Sequence, residues 1–277
     1  FVILFIVIYM TNRGIKKGLK PFFEKEKKEM PKLLNKSISL VISIIVSVIV
    51  SNAMMQNIML VMANTSFGIT DPIFGLDIAY YIFQKPLIEM LVYYIVGIVI
   101  GLTIYMAVYY ILVFNRYFDG VDRNMLKDSL FMKKLTRNVL FIILGIAIIT
   151  ILGTQNLMFG KILTIDDNIE INGAGMTEAT IRLWGYIIFA FVIVIFAYRA
   201  LKYFKQENTA KVLKNLAVIP IYLVALFVVM VIFDLIYVNS NELDRERPYI
   251  SQNIENTKNA YGLDVEEQAV EYSGTVT

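Results

Sequence analysis

Apolar residues along this chain do not alternate with polar ones; they form unbroken runs separated by short polar stretches. A helix needs roughly 20 apolar residues to cross a hydrocarbon core about 30 Å thick. Five runs reach that length: residues 40–62, 87–114, 139–159, 181–201 and 216–238. A sixth, residues 1–10, is equally apolar but half as long. It begins at Phe1 and lacks the basic start and small-residue cleavage site of a signal peptide, so it is expected to be the inner half of a truncated helix. The pattern predicts an all-α fold, a polytopic transmembrane helix bundle over residues 1–238, with residues 239–277 opening an extracytoplasmic region.

The polar stretches give an orientation. Of the 26 Lys and Arg residues, 20 fall on alternate connections, within residues 11–36, 115–138 and 199–214. Acidic residues lean the other way, with 16 of 23 elsewhere. Under the positive-inside rule those three connections are cytoplasmic and the C-terminal tail lies outside. The net charge of +3 is therefore a small difference between a basic inner face and an acidic outer one. The basic run around Phe22 and Phe23 could in principle hold nucleic acid, but in a membrane-bound chain anionic lipid headgroups at the cytoplasmic face are the expected partner.

One outer connection has structure of its own. Asp71 before Pro72 reads as a helix cap and first helical residue. Asp77 can cap a second short helix carrying Ile78, Tyr81 and Ile82 and ending at Pro86, an interfacial helix in an outer loop. Two carboxylates at this spacing are too few ligands for calcium. After the fourth run, Asp166, Asp167, Asn168 and Glu170 superficially resemble a calcium loop. The twelfth position is Thr177 rather than Glu, so an acidic solvated loop is expected.

Within the runs, Ser39, Ser43, Ser47 and Ser51 recur every fourth residue, which predicts a helix-packing seam or, alternatively, a polar wall of a permeation path. Gly97 and Gly101 predict a close helix crossing. Tyr93, Tyr94, Tyr105, Tyr109, Tyr110 and Trp184 read as interfacial belts. Ionisable residues inside spans are rare and mark candidate sites. Glu89, Arg182 and Asp234 qualify as an intramembrane polar cluster, with Arg182 expected to pair with Glu89 or Asp234.

Composition narrows the chemistry. The chain is 57% hydrophobic and 18% charged, with mean hydropathy +0.63, which is too apolar for a water-soluble domain. With no Cys and no His, thiolate and imidazole chemistry is absent from it. Met54, Met55, Met59 and Met62 could ligate Cu(I) but are better read as gap-fillers. No nucleotide-binding, hydrolase or kinase motif occurs. No catalytic, cofactor-binding or metal-binding residue is assigned, no cofactor is expected, and homo-oligomerisation stays open.

Two stretches carry a resemblance: the loop from Asp71 to Pro86, with Pro72, Gly75 and Asp77, and the run from Glu246 to Asp264, with Pro248, Tyr249, Asn253 and Tyr261. Both resemble the bacterial uncharacterised protein family 0182. The resemblance implies a bundle of transmembrane helices followed by a large extracytoplasmic region, and it brings no activity or catalytic residue. Residues 248–262 place Tyr249, Ile250, Ile254 and Tyr261 at helical spacing, which predicts an amphipathic helix docking on a further extracytoplasmic domain or on the outer membrane surface. The expected function is an anchor or scaffold in the bacterial cell membrane; the alternatives are part of a transporter or channel for a small solute or lipid and, more remotely, a metal-assisted membrane enzyme.

Overall fold

The computed structural model describes residues 1–31, 35–118, 120, 129–159, 161–162 and 171–263. The acidic loop at Asp166, Asp167, Asn168 and Glu170, and Asp264 of the second motif, lie outside the described residues. Among the described residues seven α-helices follow one another: α1 Val2–Lys25, α2 Asn35–Met62, α3 Lys85–Tyr117, α4 Leu130–Thr154, α5 Leu183–Lys205, α6 Thr209–Ile232 and α7 Glu242–Ala260. Among the described residues the one ladder is antiparallel, pairing β1 Lys161–Ile162 with β2 Ile171–Asn172. Among the described residues five helical segments contain a stretch long and apolar enough to cross a membrane: Lys36–Met62, Tyr80–Tyr117, Leu130–Leu157, Glu178–Lys205 and Thr209–Ala260, the apolar stretch of the last being residues 216–238. Each expected long run falls on one of them.

The chain divides into two compact units, residues 1–155 with 185–225, and residues 156–184 with 226–277. In the first unit α1, α2, α3 and α4 pack on one another. Its tightest core is aromatic: Phe23, Tyr110, Phe114 and Phe131 are buried with Ile15, Leu19 and Met106. A second cluster joins Ile143 of α4 to Phe189 and Ile193 of α5, with Tyr222 of α6 stacked on Phe189 and donating to the Gly185 carbonyl at 2.9 Å.

Two expectations change here. Residues 11–25, read as a cytoplasmic connection, continue α1 as a helix. Ile8, Asn12, Ile15, Leu19 and Phe23 recur at three- and four-residue steps and are buried, while Arg13, Lys16, Lys17 and Lys20 stay exposed on the other face. Lys27 ends the helix in the left-handed region (φ 54°), and the Lys28 amide closes back onto the Phe23 carbonyl at 3.0 Å.

The glycine pair that brings helices close is also not the expected one. A Cβ on Gly18 would stand 2.1 Å from the Tyr110 hydroxyl, and one on Gly14 would overlap the Lys134 ammonium. At Gly97 and Gly101 a Cβ would meet no described atom within 4 Å. Spacing alone does not make a crossing; the partner helix must come close, and here it does so at Gly14 and Gly18 and, from α4, at Gly145 against Val96. Gly97 and Gly101 instead line an apolar groove of about 610 Å³ between α2 and α3, with Ile42, Val46 and Met90.

Candidate functional site

The first motif folds as a knot tied by its own carboxylates. Asp71 is 6% exposed. Its Oδ1 accepts from the amides of Ile73 (2.9 Å) and Phe74 (2.6 Å), and its Oδ2 accepts from the Leu76 amide (3.0 Å) and the Tyr81 hydroxyl (2.8 Å). Pro72 follows it into a turn rather than a helix, because Gly75 (φ 66°) reverses the chain and its amide donates to the Asp71 carbonyl at 3.0 Å. Asp77 accepts from the Ser66 hydroxyl and from the amides of Phe67, Gly68 and Ala79, the last at 2.8 Å. The Ser66 hydroxyl first, then the Ala79 amide, hold its carboxyl below the ordinary 3.8. Both carboxylates therefore serve the backbone around them.

Asp77 does start a helix, as its position suggested, but that helix does not end at Pro86. A π-helical turn, Tyr80–Gln84, runs directly into α3, with the Lys85 amide donating to the Tyr80 carbonyl. The wider turn accommodates the proline ring, which in a regular helix would meet the carbonyl four residues back. The interfacial segment and the third span are thus one continuous helix. Tyr80, on that turn, donates to the Gln155 side chain at 3.1 Å, which ties the knot to the end of α4.

The second motif belongs to the second unit. π-helical turns Glu178–Arg182 and Phe233–Val238 stand before α5 and after α6. Against them lies α7, and its seat is a glycine loop. Both carboxylate oxygens of Glu246 accept the Met176 amide, at 3.1 and 3.2 Å. Glu246 is 9% exposed. A Cβ on Gly175 would lie 3.0 Å from Glu178 Oε2 and 3.1 Å from Glu246 Oε2, so a side chain there would push the two carboxylate ends apart. One turn pair along, the Asn253 amide sits where a Cβ of Gly173 (φ 140°) would be, at 2.8 Å. Burial pushes the Glu246 carboxyl above its ordinary 4.5; the Met176 amide opposes this, and the charges of Glu178, Asp234 and Glu242 add to it.

The face that α7 turns to its own chain is a different one from the apolar row. Tyr249 and Ile250 are half-buried, but Ile254 and Tyr261 are exposed (52% and 78%), and the helix lands on Glu246 and Asn253. The two share a face because they are seven residues, two helical turns, apart. That spacing, with the glycines at 173 and 175, was the sequence signal for the seat; an apolar-row criterion passes over it.

Glu89 and Asp234 of the intramembrane candidates are engaged at separate places. Glu89 pairs with Lys85, which is 4% exposed, at 2.8 Å one turn away. Asp234 accepts from the Thr177 hydroxyl at 3.1 Å, and Arg182 lies on the π-turn beginning at Glu178. Arg245 stacks its guanidinium 3.3 Å from the Tyr237 ring centre.

The serine row divides. Ser39 and Ser43 are fully buried; Ser39 accepts from Asn12 of α1 at 2.9 Å, and Asn12 accepts from the Tyr105 hydroxyl at 2.7 Å. The Ser43 hydroxyl donates to the Leu40 carbonyl at 2.9 Å. Further along, Ser47 and Ser51 border a cavity of about 560 Å³ whose other walls include Leu4, Val7, Ile58 and Ile98. Among the described residues no three His, Cys, Asp or Glu side chains gather as a metal site.

Comparison with known proteins follows the same lines. The profile of the Uncharacterised protein family (UPF0182) matches residues 1–277. A UPF0182 protein of Caldicellulosiruptor saccharolyticus is 30% identical over 284 residues, covering 100% of this chain and 30% of that protein. One from Clostridium novyi is 26% identical over 280 residues (97% of this chain, 31% of the other), and one from Trichodesmium erythraeum 28% over 204 residues (70% and 20%). The chain thus spans less than a third of the length of these relatives. No solved structure matches it.

Proposed function

This chain belongs to the Uncharacterised protein family (UPF0182), and on that premise we propose that it is the membrane-embedded part of a bacterial envelope protein, anchoring an extracytoplasmic region. One observation carries the reading: five helices long and apolar enough to span a bilayer alternate with connections of opposite charge character. The basic connections face the cytosol in this reading, and the exposed Arg13, Lys16, Lys17 and Lys20 of α1 lie against anionic headgroups. The carboxylates of the first motif bind their own loop, which suits a scaffold better than a catalyst.

The chain has no cysteine, so single cysteines report cleanly. Lys25→Cys and Tyr261→Cys both place the thiol at exposed positions. In intact cells an impermeant maleimide is expected to label Tyr261→Cys, and to reach Lys25→Cys only after permeabilisation. Labelling of both from one side removes the proposal.

A second reading, handling of a lipid or another apolar solute, is favoured by the groove beside Gly97 and Gly101. Its lining is too apolar for a water-soluble solute. Gly97→Leu with Gly101→Leu would fill the groove; loss of envelope function in cells with unchanged membrane insertion supports this reading over the anchor.

A further inference from the structure

We infer that Glu246 makes the seat of α7 a proton-dependent latch: a protonated carboxyl holds the helix on the Gly173–Met176 loop, and ionisation releases it. The contact is a single buried side chain reaching 70 residues back to the Met176 amide. Carboxylates crowd it from the packed elements: Glu178 from the turn before α5, Asp234 from the turn after α6, and Glu242 from α7 itself, with the Tyr249 phenol alongside. Glu178 and Glu246 converge over Gly175. The cations flanking it in sequence are Arg245, whose guanidinium is stacked on Tyr237, and Arg247, which is exposed; Arg182 lies on the Glu178 turn.

An ionised Glu246 is therefore brought into the field of three other anions when α7 docks, whereas a neutral carboxyl is not. The neutral form still accepts the Met176 amide through its carbonyl oxygen, and its O–H can donate to a neighbouring carboxylate. The direction of the Glu246 shift agrees with this geometry. A group bound more tightly by its proton in the seated state contributes stability that is complete below its ordinary value of 4.5 and fades as pH rises through the raised one. The latch does not depend on which side of the membrane α7 occupies, so its test is independent of the labelling experiment above.

Hydrogen exchange on the whole chain in nanodiscs reads it directly, each rate being divided by the intrinsic chemical rate at the same pH. Between about pH 4.5 and about pH 8, protection of the Met176 amide and of α7 is expected to fall severalfold. Glu246→Gln, which keeps the acceptor and removes the charge, is expected to be protected and flat across that range. Glu178→Gln, which leaves Glu246 intact, is expected to move the transition to lower pH. Wild-type protection that is flat or rises with pH, a Glu246→Gln variant that retains the wild-type slope, or an unmoved transition in Glu178→Gln overturns the latch.

Discussion

Both motifs of this chain are built on buried or engaged carboxylates, yet they place opposite demands on them. In the loop around Asp71 and Asp77, every acceptor meets a nearby N–H or O–H donor, most from the loop's own backbone. Around Glu246 one backbone amide is shared by both oxygens while three anions stand close. A carboxylate surrounded by donors is most stable charged, and one surrounded by other carboxylates is most stable neutral. The first arrangement makes a rigid turn; the second makes a contact whose strength depends on proton supply.

The sharpest way to break this contrast is to remove each carboxylate. Asp71→Ala strands three backbone amides and the Tyr81 hydroxyl, and is expected to cost about 3–5 kcal/mol in reversible unfolding of the purified chain. Glu246→Ala frees one amide and relieves repulsion, so its cost should stay near about 1 kcal/mol. Equal losses would dissolve the distinction. Next comes the sign of the pH response. Asp77, held below its ordinary 3.8, contributes stability that is present above that value and lost as pH falls through the lowered one. Exchange in residues 66–79 should therefore speed up on acidification towards about pH 3, and Asp77→Asn should abolish the effect. The Gly173–Met176 seat should respond the other way, tightening as pH falls.

Smaller effects separate the two glycines. Gly75→Ala places a side chain at φ 66° in open space, for a backbone strain of about 1 kcal/mol. Gly175→Ala pushes a methyl to 3.0–3.1 Å from two flexible carboxylate ends, which can yield. It should change thermal stability by less than about 0.5 kcal/mol while lowering the pH at which α7 loses protection, because the carboxylates move apart. A Gly175→Ala variant with an unchanged transition would show that their approach over this glycine does not matter.

Much of the helical plan was legible in the residues, since an apolar run of sufficient length admits few other structures in lipid. The cap at Asp77 was legible as well, because capping is a matter of two or three neighbouring amides. What local pattern could not reveal was partnership. The spacing at Gly97 and Gly101 matches that at Gly14 and Gly18, and only the second pair meets another helix. The continuation of α1 past Met10 was hidden because its lysines announce a loop, while the small set of buried positions beneath them needs α3 and α4 to make sense. Likewise Pro86 reads as a stop until a π-turn is seen to admit it.

By itself the sequence determined the all-helical class and the apolar lengths, properties summed over single residues and their near neighbours. The fold alone decided which glycines are crowded, that Asn12 meets Ser39 and Tyr105, and that Glu246 rather than an apolar row seats α7 on its own chain. Those depend on distances between residues far apart in the chain, and the energy of a close contact or a buried charge is set by such distances rather than by composition.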